Sequence, residues 1–249
     1  MPSPSHTPAP RRINGPARAN ETQGADAAPP LAGSQIKSRA RVRDLAEVYT
    51  NKREVNAMLD LVAAMFPSAD DPGNVDRTFL EPACGSGNFL EEILRRKLAF
   101  VTTGRYGCGE RYEHVVLRCL ASIYGIDICE ENVDQSRDRM RAAISSHLDQ
   151  DLAGGSVSPA FANATEVLLR TNIIRADALI DAQAIVIVEY RPGTDGTFTR
   201  EWSSLDPETN QPTLFSVSVS LRDEVPVHYS ELSAYPGPLV ARIPMKGAA

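Results

Sequence analysis

The sequence predicts an α/β protein built on a sheet of parallel strands with helices along its flanks. Three observations carry this. Strand-like and helix-like segments alternate across residues 77–190, the order produced when parallel strands are joined by crossover helices. The helical segments show apolar residues at three- and four-residue intervals, whereas the strand candidates are short runs rich in Ile, Val, Leu and Phe. On either side of this block the chain turns Pro-rich, with seven prolines in residues 1–33 and seven in residues 191–249.

Each element has a local reason. Residues 1–33 lack hydrophobic periodicity and cannot bury enough surface to offset their ordering entropy, so residues 1–35 read as a disordered Pro-rich arm. Order is expected to begin near residues 36–44. Residues 52–66 place Val55, Met58, Leu59, Val62 and Met65 at helical spacing, and residues 67–74 form a turn-rich break. Residues 77–81 read as a strand, 82–87 as a Gly-containing loop, and 88–97 as a helix with Phe89, Leu90, Ile93 and Leu94 on one face.

A loop with Gly104, Gly107 and Gly109 follows. Next come a helix over Glu110–Ala121, a strand over 123–128 and a helix over 130–148, whose acidic start suits the helix dipole. After a linker at 154–159 the reading gives a short helix at 161–169 and strands at 172–175 and 184–190, the last taken as the fourth of the sheet. Beyond Tyr190 there is alternation over 215–221 but no helical pattern, so residues 191–249 predict a hairpin or two and a loose tail. Residues 36–190 are then the main domain.

At 249 residues the chain suits one domain of ordinary size plus appendages. Its formal net charge of -6 does not advertise a nucleic-acid binder, but the charge is uneven: residues 1–43 carry +5, leaving -11 for the remainder. Lys37, Arg39, Arg41 and Arg43 alternate with other residues and could grip a phosphate backbone. No run of about 18 apolar residues exists, so no membrane span is expected. Cys84, Cys108, Cys119 and Cys129 show neither disulfide-scaffold density nor metal spacing, and His6, His114, His147 and His228 are scattered. A cytoplasmic, reduced, metal-free protein is expected.

The informative stretch runs Glu81-Pro82-Ala83-Cys84-Gly85-Ser86-Gly87-Asn88-Phe89-Leu90. Gly85 and Gly87 permit unusual dihedrals and close backbone approach, and the helix that follows offers free N–H groups. A dinucleotide loop would need a third glycine where Leu90 stands, and no Gly-Lys-Ser/Thr is present for a phosphate-cradling loop. The stretch resembles motif I of the S-adenosylmethionine-dependent methyltransferases, in the form found in adenine-specific DNA methyltransferases of restriction–modification systems.

That resemblance extends in order along residues 39–180. Tyr49-Thr50 before a helix resembles motif X, whose pair helps hold the methionine part of the cofactor; Asn51 stands where the family often has Pro. Asp127-Ile128 at the end of the second strand resembles motif II, where an acidic residue accepts the ribose hydroxyls. It lies 42 residues beyond Gly85, against roughly 20 in dinucleotide folds, and the extra Gly-rich loop and helix account for the difference. Asp177-Ala178 after the third strand resembles motif III, where an Asp accepts from the adenine amino group. The plainer alternatives are an ordinary strand-to-helix turn, an N-cap, a strand-end cap for Asp127 and a turn cap for Asp177.

The resemblance implies a Rossmann-like class I methyltransferase sheet, here truncated, with S-adenosylmethionine held by Tyr49, Thr50, Glu81, Pro82, Ala83, Cys84, Gly85, Gly87, Asn88, Phe89, Asp127, Ile128, Asp177 and Ala178. One signature is missing: the Asn/Asp/Ser-Pro-Pro-Tyr/Phe of motif IV, which orients the target amino group. Glu189, Tyr190 and Pro192 are the nearest groups and stand in the wrong order, so no catalytic residue is assigned. Base reading also needs an added domain, and the region after Tyr190 is short and acidic for that role. The expected function is therefore methyl transfer to adenine in DNA, or its cofactor-binding part, with a second protein chain supplying motif IV and target recognition. The alternative is a non-catalytic cofactor-binding regulatory or assembly subunit of a DNA-modification or phage-defence system. Transfer to protein or RNA ranks third.

Overall fold

A computed structural model of the chain describes residues 50–180, 182, 184–204 and 221–237. The Pro-rich arm, the basic cluster at residues 37–43, Tyr49 and most of the 215–221 alternation lie outside them.

The first helix, α1 (Lys52–Asp60), starts where Asn51 caps it: the Asn51 side chain accepts from the Glu54 N–H at 3.1 Å. It ends earlier than the periodicity suggests. A short 3₁₀ turn at Ala63–Met65 replaces its last part, leaving Met58, Leu61 and Val62 exposed. Strand β1 (Phe79–Glu81) runs through the glycine loop into α2 (Asn88–Leu98). The Gly-rich stretch at 102–109 holds a single turn of helix, α3 (Thr103–Tyr106). Then come α4 (Glu110–Ala121), β2 (Ile123–Asp127) and α5 (Glu130–Asp151), about one turn longer than its expected end. Helix α6 (Pro159–Asn172) has Ser158 as N-cap and Pro159 at its first position, and leads directly into β3 (Ile173–Arg175).

Strands β1, β2 and β3 pair in parallel in that order, with Phe79 opposite Ile123 and Gly125 opposite Ile173. The central strand is almost wholly buried, as a strand covered on both faces must be. Alternation turns Gly125 and Tyr124 to opposite faces. Gly125 lies under α2, where a Cβ would come within 2.6 Å of Leu90, and α2 packs along α5. Tyr124 looks the other way and donates to the Val188 carbonyl at 2.9 Å. Helices α4 and α6 pack on each other and against this second region.

The expected fourth parallel strand is a different element. Strand β4 (Val186–Pro192) pairs antiparallel with β5 (Thr197–Ser204), which pairs in turn with β6 (Leu221–Arg222) and β7 (Val227–His228). The turn explains the change of direction. Asp195 and Gly196 both have positive φ, 51° and 74°, the backbone that closes a tight hairpin and fits the twist of its strands. The hairpin thus begins at residue 186 rather than beyond Tyr190. Its inner face buries Val188, Tyr190 and Phe198 with the main core. Arg200 and Asp223 form a fully buried ion pair at 2.9 Å, and Arg200 also donates to the carbonyls of Tyr235 and Gly237. Among the described residues no helix is long and apolar enough to cross a membrane.

One buried cation fixes the entry to β1. Lys97 is fully buried and its ammonium donates to the carbonyls of Val75 and Arg77 and to Ser122 Oγ. Burial pushes its pKa down from 10.5 to about 8. Lys97→Met should destabilise the protein by roughly 2–3 kcal/mol, because two carbonyls lose a charged donor. The lowered pKa fixes the sign of the pH dependence: below pH 8 both folded and unfolded chains carry the proton, and above it the folded chain sheds it first. Wild-type stability relative to Lys97→Met should therefore rise from pH 8 towards pH 10. Denaturant titrations at several pH values measure this, and a difference that shrinks with pH contradicts it.

Candidate functional site

The site is built from the root of the loop upward. The Cys84 N–H donates to the Ile126 carbonyl at 2.9 Å, carrying the β1–β2 ladder past the end of β1, and the Gly87 N–H returns to the Cys84 carbonyl at 3.0 Å. Between these bonds the chain turns through two left-handed residues, Gly85 (φ 55°) and Gly87 (φ 87°). The two glycines serve different ends. A Cβ on Gly87 would lie 2.7–2.9 Å from the side chain and backbone of Ser136, whereas a Cβ on Gly85 would meet nothing within 4 Å. Gly87 is thus needed for packing on α5, while Gly85 faces open space.

Asp127, half-buried at the carboxyl end of β2, holds this loop. Its Oδ2 accepts from the Gly85 N–H at 2.8 Å. Its Oδ1 accepts from the Cys129 N–H at 2.8 Å and from Asn132 Nδ2 at 3.2 Å. Ser136, one helical turn beyond Asn132, donates to the Gly85 carbonyl at 2.9 Å and lies 3.9 Å from Cys84 Sγ. Burial pushes the Cys84 thiol up to about 12, against the opposing effect of its Ser136 contact. A thiol held neutral in this way packs the loop and is a poor nucleophile.

The remaining expected residues fall into place unevenly. Glu81 Oε1 accepts from the Ala83 N–H at 3.3 Å; Pro82 and Ala83 are exposed, and Phe89 is partly buried against the core. Asn88 Nδ2 donates to the Thr50 carbonyl at 3.0 Å, which joins the segment before α1 to the loop. Ile128 is half exposed beside Asp127. The Ala176 N–H donates to the Asp127 carbonyl at 3.1 Å, bringing the third strand end alongside. Asp177 and Ala178 are partly buried there. The Asp177 carboxylate caps its own turn, accepting from the N–H groups of Leu179 and Ile180 at 2.9 and 3.0 Å.

Sequence reasoning passed over Asn132, Ser136 and Arg139 on α5, and Arg175, which donates to the Ile128 carbonyl at 3.2 Å. A signal was present. Asn132, Ser136 and Arg139 are polar residues spaced at helical intervals on the helix that follows Asp127, and the first two are buried. Among the described residues no group of three or more His, Cys, Asp or Glu is placed to hold a metal ion.

Glu189, Tyr190 and Pro192 do not reach this end of the sheet. Tyr190 is buried, and its hydroxyl lies 3.0 Å from Thr171 Oγ1, just before β3 begins. That is the amino-terminal end of the parallel strands. Glu189 pairs with Arg191 at 3.2 Å, and Pro192 stands opposite Phe198 in the hairpin.

The two glycines should respond differently to substitution. Gly87→Ala combines a left-handed backbone with a clash on Ser136 and should cost roughly 2–4 kcal/mol of stability. Gly85→Ala carries the backbone cost alone, about 1–2 kcal/mol. Thermal melts of the two variants make the comparison, and equal losses would contradict it. No family model, curated protein or solved structure matches this chain.

Proposed function

We propose that the chain is the S-adenosylmethionine-binding part of an adenine-specific DNA methyltransferase. One observation carries the reading: a glycine loop, open on one side at Gly85, and the Asp127 carboxylate meet at the carboxyl ends of parallel strands, where open α/β sheets bind ligands.

The donor set suits that cofactor. An ionised carboxylate offers about four acceptor positions. Three donors occupy Asp127, leaving one on Oδ2 for a ribose hydroxyl. Ile128 supplies an exposed apolar side chain beside it for the flat face of a purine. Glu81 accepts from the Ala83 N–H of the same loop, and Thr50 is tied to it through Asn88. When bound, the cofactor supplies a methyl group already activated on a sulfonium. The chain's own task is then positioning, the dominant contribution when the leaving group needs no protonation.

The acceptor for the target amino group and the base-reading surface fall to a second protein chain, with adenine in DNA as the shared substrate. The turn of β4 into an antiparallel hairpin supports this division, since it carries Tyr190 away from the loop. The same observation favours the second reading, a non-catalytic subunit that binds the cofactor for regulation or assembly.

Calorimetry with S-adenosylmethionine tests both. Binding is expected, with Asp127→Ala weakening it at least tenfold, about 1.4 kcal/mol. Labelled-methyl transfer to adenine-containing DNA, with and without the neighbouring gene product, separates the readings. Transfer in the mixture supports the methyltransferase part, binding without transfer supports the second reading, and no binding removes both.

A further inference from the structure

The hydrogen bonds around α2 and α5 extend beyond the loop, and they converge on a side chain that the cofactor reading does not use. Arg139 lies on the same helix as Asn132 and Ser136. Its guanidinium, about one-third exposed at 34%, faces Glu91 Oε2 at 3.4 Å and donates from Nη1 to Asn88 Oδ1 at 2.5 Å. Asn88 is the first residue of α2, and the far end of its amide donates to the Thr50 carbonyl. Thr50 leads through the Asn51 cap into α1.

An arginine has donors and no acceptor. Only the oxygen of the Asn88 amide can face it, so the amide nitrogen must face Thr50. Turned the other way, the amide would set nitrogen against guanidinium and oxygen against the Thr50 carbonyl. A cavity of about 100 Å³ opens beside Asn88, lined by Lys52, Val55, Asn88, Glu91, Glu92 and Arg139. Both partners impose the same orientation, since the Thr50 carbonyl can only accept, and the charge-assisted bond from Arg139 is the stronger of the two.

We infer that Arg139 is a positioning residue that orients Asn88 and so sets the place of the Thr50 segment against the cofactor loop. This inference rests on the reading of that loop as the S-adenosylmethionine cradle. Arg139 bonds to Asn88 and Glu91 rather than to Gly85 or Asp127; it acts through Asn88.

A double-mutant cycle on cofactor affinity tests it, using the full chain and calorimetry with S-adenosylmethionine. Arg139→Met should weaken binding about tenfold, with the melting midpoint moved by less than roughly 3 °C. Arg139→Lys, which retains a charged donor, should bind within about threefold of wild type. In an Asn88→Ala background Arg139→Met should have almost no further effect, since the group it orients is gone. Additive losses, or an unchanged affinity in Arg139→Met, would overturn the inference while leaving the cofactor reading intact. Failure of the wild-type chain to bind overturns the cofactor reading itself.

Discussion

Asp127 carries one carboxylate at the end of β2, and two loops are fastened to it. The Gly85 N–H comes from the strand-to-helix turn after β1, and the Cys129 N–H and Asn132 amide come from the start of α5. Each bond is modest alone, but a buried N–H left without an acceptor costs about 1–3 kcal/mol. The geometry around it follows from this anchor. With Gly85 held to Asp127, its carbonyl meets Ser136, and Gly87 must then pass so close to Ser136 that no Cβ fits. The third strand end joins through the Ala176 N–H on the same residue's carbonyl.

The opposite end of the parallel strands is organised by different forces. There Lys97 gathers backbone carbonyls from the approach to β1, Tyr190 reaches Thr171, and the antiparallel sheet is stapled by the buried pair of Arg200 and Asp223. Charges so deeply buried persist because each is fully hydrogen-bonded. The result is a division of labour along the strand direction. Packing and buried ions stabilise the amino-terminal end, and the carboxyl end keeps a loop open at Gly85 and an exposed Ile128. In the proposed reading the cofactor uses the second end, and a partner chain completes it.

Much of the local structure was legible because it is locally determined. The apolar spacing of Val115, Val116, Leu117 and Leu120 marks α4, whereas α6 starts at Ser158-Pro159, inside the expected linker, and runs on to Asn172. The two glycines after Glu81 announced a turn of unusual backbone, and the loop does contain two positive φ values. The partner of β4 was not legible from its own residues, because an alternating strand can pair on either side. The deciding signal lay beyond it, in Asp195-Gly196. At the site, the motif resemblance grouped Glu81, Gly85, Asn88 and Asp127, but it could not show how each carboxylate would be used. Asp127 serves the loop as well as any ligand, and Asp177 caps its own turn. Asn132, Ser136 and Arg139 share one face of α5 by their spacing, but their partners, Asp127, Gly85 and Asn88, are set by how that helix approaches the loop in three dimensions.

In the proposed reading the loops around Gly85 and Asp127 form one ligand-responsive unit. Amide hydrogen exchange with and without millimolar S-adenosylmethionine measures this. Slowed exchange is expected in the segments around residues 84–88 and 127–132 together, with the β4–β5 hairpin unchanged. Unaltered exchange in both segments, or protection confined to the hairpin, would contradict it.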